Sequence, residues 1–255
     1  MLQQTQVARV LPRYEAFLAS WPTAAACAAA SQAEVVTAWA GLGYNRRAVN
    51  LHRCAREVVE RHGGVLPSEL DELLALPGIG PYTARAVLAF AFEADHVGVL
   101  DTNAARVHAR WAGRSLGPKE AQAAADAAVP PGAGWAWNQA MLDLGATTCT
   151  ARSPRCEACP VAPWCAWHGS GRSEPDPAIG SHGTSGRQST FAGSDRQGRG
   201  RLVDALRRGP VPAAGLAAAM GWPDDSARAG RVAATLVADG IAVHDPSSGT
   251  YRLAP

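Results

Sequence analysis

Four cysteines fall within residues 149–165 in the spacing C-x6-C-x2-C-x5-C: Cys149, Cys156, Cys159 and Cys165. Thiolates are soft ligands, and a C-x-x-C pair flanked by two further thiols can surround one soft centre. Zinc sites favour two paired knuckles. Uneven gaps such as these fit a cubane [4Fe–4S] cluster better. Disulfides are disfavoured in a helical chain without a secretory signal. The remaining Cys27 and Cys54 lie in Ala- and Val-rich stretches and read as small buried apolar residues. Between the first two ligands runs "TARSPR", with Arg152 and Arg155. Pinned at both ends, such a basic loop either grips phosphates or stands solvated.

The second chemical signal is "LPGIGPYTARAVLAFAF" (76–92). A helix ends near Leu76, the chain turns through Gly78 and Gly80, and a new helix begins. Glycine permits backbone angles and close approaches that a Cβ would block. The N–H groups at the start of the new helix form an anion site that suits a DNA phosphate and reads no base. Twenty-one residues after Gly80, "VLDTNAARVHAR" places Asp101 between an apolar stretch and a helix. Asp101 reads equally as a helix cap or as a carboxylate at the mouth of a cleft.

These residues need elements to position them. Segments 2–19, 31–40, 45–62, 68–75, 81–92, 103–112, 118–128 and 135–145 carry helical spacing or Ala/Leu-rich composition, divided by "HGGVLP", "LPGIGP" and "VPPGAG". The expected class is all-α, with a helical domain over 1–148 and a cluster loop over 149–168. The Gly-, Ser- and Pro-rich stretch from 169 to 194 reads as a flexible linker. Three helices and a hairpin, "IAVHD-PSSG-TYRLAP", over 195–255 suggest a small winged-helix domain, with a helical domain and frayed tail as the alternative. Of the 255 residues 47% are hydrophobic and 18% charged, and the net charge is +2, so any nucleic-acid surface is local rather than global. No apolar run reaches the roughly 18 residues of a membrane span and no basic segment precedes an apolar one at the start. A cytoplasmic monomer with no membrane partner is expected.

Together, "LPGIGPYTA", "LDTN..RV" and the cysteine spacing resemble the helix-hairpin-helix DNA glycosylases with a terminal iron–sulfur cluster, over residues 1–168. Three stretches are similar to the MutY-type adenine glycosylases: "MLQQTQV" at the start, "GLGYNRRAVNLH" (41–52) and "WNQAMLDLGATTC" (137–149). The resemblance implies double-stranded DNA with a mismatched or lesion pair as partner. It implies that Gln4 and Tyr44 wedge the duplex and that Leu2, Val7 and Gln139 line the pocket of an extruded adenine. Asp101 matches the family's second carboxylate, and Tyr82 and Asn103 match positions that support the reacting centre. Lyase-type members carry lysine where this chain has Tyr82, so a monofunctional enzyme is implied.

Two departures are visible. The family's general acid is a glutamate two residues ahead of the methionine of "MLQQ", so the resemblance implies that residues 1–255 lack it and excise nothing alone. Many such proteins also carry a larger C-terminal domain that checks for 8-oxoguanine, where residues 195–255 read as a winged helix. That domain has either its third helix (226–238) on duplex DNA, behind a basic edge of Arg196, Arg199, Arg201, Arg207 and Arg208, or a protein-docking role. The alternatives are a thymine mismatch glycosylase, against which "LQQTQV" argues, and a non-catalytic DNA-binding iron–sulfur protein.

Overall fold

The computed structural model describes residues 1–3, 5–182 and 190–255; Gln4 and part of the expected linker, 183–189, lie outside them. The helices are α1 (Val7–Ser20), α2 (Ala24–Ala29), α3 (Gln32–Ala38), α4 (Arg46–His62), α5 (Leu70–Ala75), α6 (Pro81–Ala91), α7 (Thr102–Ala112), α8 (Pro118–Ala128), α9 (Gly134–Asp143), α10 (Ala166–Gly169), α11 (Asp195–Leu206), α12 (Leu216–Met220) and α13 (Ser226–Ala238). The strands are β1 (Val211–Pro212), β2 (Ala242–Asp245) and β3 (Thr250–Leu253), in the order β1-β3-β2, all antiparallel. Among the described residues no helix is long and apolar enough to cross a membrane.

Local chemistry sets the ends of these helices. Ser31 and Glu34 form a reciprocal capping box at the start of α3. Pro81 and Pro118 stand in the first turns of α6 and α8, where no N–H is needed. Gly63 and Gly113 end α4 and α7 in the left-handed conformation. The helix expected from residue 2 starts instead at Val7. The carbonyls of Met1 and Gln3 accept hydrogen bonds from the Arg47 guanidinium, at 2.9 and 2.6 Å, which draws the first residues out of helical register.

Residues fall into two units. The first combines Met1–Pro67, Leu76–Gly78 and 190–255. Its core is one continuous cluster: Val10 and Phe17 of α1, Val35 and Val36 of α3 and Val49 of α4 belong with Leu202, Met220, Val232, Leu236 and Ile241 from the C-terminal segment. The helix and strand order expected for 195–255 is present, with β1 as an unforeseen third strand. It is not a separately cored module, because the short α3 buries its valines in a core that the C-terminal helices share.

The second unit comprises Ser68–Ala75 and 79–182. Leu100, Ala104, Ala105, Ala109, Leu116, Ala121 and Ala125 form its small-residue core between α7 and α8. Residues 169–182, expected within the linker, are tied down here: Asp176 pairs with Arg110 at 2.6 Å, and Ala178 and Ser181 are buried. The strand-like segment before Asp101 passes close to α8, where a Cβ on Gly98 would lie 2.5 Å from the Ala125 carbonyl carbon.

His108, buried on α7 and stacked on Trp111, has its pKa lowered from 6.5 to about 4 by burial. The unfolded chain therefore binds a proton that the folded one refuses between those values. Stability is full above pH 6.5 and is expected to fall as the pH drops towards about 4, by up to about 3 kcal/mol from this group. Urea titrations at pH 7 and 4.5 check this: His108→Gln is expected to lose less stability across that interval than the parent.

Candidate active site

The structure bears out the first reading of Asp101, as a helix cap. It caps α7, accepting the Ala104 N–H at 2.7 Å through Oδ1, while Oδ2 accepts from the Asn103 amide at 3.0 Å. The backbone leading to it is held from two sides. Asn138, fully buried on α9, accepts the Val99 N–H at 2.7 Å and donates to the Val97 carbonyl at 2.8 Å. Asp126 accepts the Gly98 N–H at 2.8 Å and pairs with Arg85 at 2.6 Å. Tyr82, on the first turn of α6, keeps 42% of its surface exposed. Burial, and secondarily the negative Asp101, raises its phenol pKa, so the two side chains share one electrostatic neighbourhood.

Behind Asn103 stands a chain of hydrogen bonds from the carboxylate to the cysteine loop. Arg106, 5% exposed, donates to Asn103 Oδ1 at 2.9 Å, to the Gly145 carbonyl at 2.7 Å and to the Cys149 carbonyl at 2.8 Å. One turn on, Arg110 is 1% exposed. It donates to Cys149 Sγ at 3.3 Å and to the carbonyls of Thr150 and Ala151, and pairs with Asp176. Its guanidinium lies over the Trp167 ring. Burial works against the Arg110 charge, but Asp176 and Cys149 outweigh it and its pKa rises. Gly145 makes this approach possible, since a Cβ there would sit 2.7 Å from the Asn103 backbone.

Cys149, Cys156, Cys159 and Cys165 line one cavity with Arg110, Trp111, Trp167 and His168. Among the described residues no three His, Cys, Asp or Glu side chains are grouped to hold a single metal ion. Four thiols ringing a shared cavity, with a buried guanidinium against one of them, fit a larger polynuclear group. His168 also turns an unpartnered, buried Nδ1 within that lining. Arg155 donates to the Thr147 carbonyl at 2.6 Å and so frames the loop, while Arg152 is exposed.

The other expected site residues take different surroundings. Gln139 is half-buried, with its amide 3.5 Å from the Asp143 carboxylate, at the limit of hydrogen bonding. Leu2 and Val7 of the first unit are open to solvent. Tyr44 belongs to a loop in which Gly41, Gly43 and Tyr44 itself all have positive φ, at 84°, 69° and 47°. The strain at a bulky side chain persists only where its surroundings over-determine it. Here Trp39 donates to the Gly43 carbonyl at 3.1 Å and Arg47 to the Leu42 carbonyl at 2.9 Å. The Arg47 guanidinium carbon lies 5.6 Å from the centre of the Tyr44 ring, which remains 48% exposed. The hairpin glycines differ in kind. Gly78 has φ 77°, and a Cβ on it would lie 2.6 Å from Asn50. Gly80 precedes α6 with nothing within 4 Å of its Cβ position, and no side chain caps that helix.

Sequence reasoning missed Arg106, Arg110, Asn138 and Arg47. The first two had a signal: Asn103, Arg106 and Arg110 recur at i, i+3 and i+7 on one helix face.

A glycine hairpin thus opens α6, a carboxylate caps α7 and a four-cysteine loop is fastened to α7. Residues 1–131 match the family described as HhH-GPD superfamily base excision DNA repair protein, and residues 149–165 match the iron–sulfur binding domain of endonuclease III. An adenine DNA glycosylase of Mycolicibacterium smegmatis is 42% identical over 259 residues, spanning 100% of this chain and 85% of that protein. One from Mycobacterium tuberculosis is 42% identical over 247 residues, covering 94% of this chain and 79% of its own. The structure of a thermostable thymine-DNA glycosylase superposes with a TM-score of 0.62 at 28% identity, over 66% of this chain and 80% of that one. The chain belongs to the adenine DNA glycosylase family within that superfamily. It is a base-excision-repair glycosylase with a [4Fe–4S] cluster, and the matched iron–sulfur domain runs from Cys149 to Cys165.

The two glycines are expected to fail differently. Gly78→Ala should cost about 1–3 kcal/mol of stability through backbone strain, added to the Asn50 clash and read as a lowered Tm. Gly80→Val should leave the Tm unchanged and weaken binding to matched and mismatched duplexes alike, because a phosphate site reads no base. Arg106→Met strands the carbonyls of Gly145 and Cys149; iron per chain and Tm are expected to fall together, by elemental analysis and calorimetry.

Proposed function

We propose that this glycosylase removes adenine mispaired with guanine or 8-oxoguanine, by hydrolysis alone. The observation that carries the reading is Asp101, held by two hydrogen bonds beside Tyr82, which occupies the position of the lyase-type lysine. Breaking an N-glycosidic bond leaves the sugar oxocarbenium-like, and a fixed carboxylate stabilises that charge. Tyrosine offers no amine, so no Schiff base forms at that position and the strand stays uncut. Asn103 positions Asp101, and Arg106 positions Asn103.

The remaining roles follow from surface and shape. The base must leave the stack, which costs a few kcal/mol and least at a mismatch. Tyr44 presents half its ring from a strained turn and fills the gap. The uncapped start of α6 after Gly78 and Gly80 binds a backbone phosphate, and Arg152 adds a phosphate contact from the loop that Arg155 frames. Gln139 contacts the extruded base. Gln4, proposed as a second wedge residue, lies outside the described residues. The cluster, when bound, cross-links residues 149–165, and through Cys149 and Arg106 this steadies the carboxylate. The duplex is bound by a monomer. Adenine is favoured over thymine because the 42% identity to adenine glycosylases runs the whole chain, against 28% over 66% for the thymine enzyme.

Single-turnover assays on A opposite G and A opposite 8-oxoguanine test this. Adenine is expected to be released with the abasic strand left uncut, and Asp101→Asn to lose that activity. Excised thymine, or a cleaved strand, overturns the reading. Purified protein is expected to carry about four iron and four sulfide per chain, and Cys156→Ser to lose them.

A further inference from the structure

We propose that the C-terminal segment 195–255 serves the glycosylase by positioning the Tyr44 loop, and that Arg207 is the residue through which it acts. The inference rests on the reading of Tyr44 as the wedge.

Arg207 leaves α11 at its C-terminal end and reaches the other half of the first unit. Its guanidinium donates to the Val36 carbonyl through Nε at 3.2 Å and Nη2 at 2.9 Å, and to Asn45 Oδ1 through Nη2 at 2.9 Å. Asp204 pairs with its remaining nitrogen. Asn45 follows Tyr44 and stands at the N-cap of α4, yet its side chain caps nothing, being held by Arg207 instead. A second tie lies one residue on. Asp239, at the end of α13, pairs with Arg46 at 3.3 Å and with Arg199 at 2.5 Å. A third joins the neighbouring helix, where Gln32 donates to the Gly240 carbonyl at 2.6 Å. Arg47 fixes the loop from the N-terminal side and the C-terminal segment fixes it from the α4 side. The left-handed Tyr44 is thereby confined at both ends.

The same contacts argue against the third helix as a DNA reader. Its inner face, Ala229, Val232, Ala233 and Leu236, is buried. Arg228 is engaged with Asp195 and lies over Trp222. Its exposed positions are Ser226, Ala227, Arg231, Ala234, Thr235, Val237 and Ala238, one charge among uncharged residues. On the edge that sequence marks as basic, Arg199 is bonded to Asp239 and Thr235, Arg201 to the Met220 carbonyl, and Arg207 to the loop. A groove-binding helix needs several cations free for phosphate.

The test uses the full chain and a duplex carrying 2-aminopurine opposite guanine. Fluorescence reports unstacking, and anisotropy reports affinity for mismatched and matched duplexes. Tyr44→Ala is the reference and should abolish the unstacking signal. Arg207→Met is expected to reduce the preference for the mismatch about tenfold, with the unstacking amplitude falling and matched-duplex affinity unchanged. Arg207→Lys should restore part of it. Should Arg207→Met fold poorly, Asn45→Ala leaves Arg207 on the Val36 carbonyl and is expected to show the same loss at a Tm near that of the parent. Parental unstacking and preference in folded Arg207→Met or Asn45→Ala, with Tyr44→Ala impaired, overturns the positioning role alone. An unimpaired Tyr44→Ala overturns the wedge reading and this inference with it.

Discussion

Two guanidinium groups buried on one face of α7 hold the second unit in its working form. Removing a cation from water costs several kcal/mol unless its donors are met. Arg106 and Arg110 meet theirs with the Asn103 amide, the carbonyls of Gly145, Cys149, Thr150 and Ala151, the Cys149 sulfur and the Asp176 carboxylate. Asn103 aside, those acceptors lie beyond α9, at Gly145 of the turn 144–148 and on the irregular backbone that follows it. A regular helix thus supplies the donors for an irregular loop, and each would be costly without the other. Asp101 and the cysteine loop are consequently mechanically one object, although 48 residues separate Asp101 from Cys149.

The first unit is governed differently. Its polar frame is Arg47 and Arg207 around a turn of positive-φ residues, and its apolar frame is a core to which both ends of the chain contribute. Folding of that core brings residues more than 150 positions apart into contact, as Arg207 and Val36 show. The loop carrying Tyr44 therefore depends on chain that is synthesised more than 150 residues after it.

Much of this was legible in the residues. The helices of the 81–145 region show in apolar spacing, Gly and Pro punctuation and the Asp101 cap, because each is a local rule with a local signature. The cysteine spacing and the glycine hairpin announce their chemistry in a few adjacent positions. What stayed hidden is what distant segments do to each other. The start of α1 is displaced because Arg47, forty residues away, takes the carbonyls of Met1 and Gln3. Arg207 reads in the sequence as one of a basic edge because its partners, Val36 and Asn45, are more than 150 positions away. The third strand β1 was missed because two residues ending in proline carry no periodicity.

Between α9 and the first cysteine the helix widens to a π-turn over Leu144–Thr148, closed by the Cys149 N–H on the Leu144 carbonyl at 2.7 Å. This stretch keeps count of the chain. Deleting one of its residues would restore α-helical winding and rotate everything beyond by about 100°. Cys149 would turn away from Arg110, and the Gly145 carbonyl from Arg106. Gly145 apart, individual side chains here can vary while the number of residues cannot. The five-residue turn thus acts as a fixed spacer between α9 and the cysteine loop.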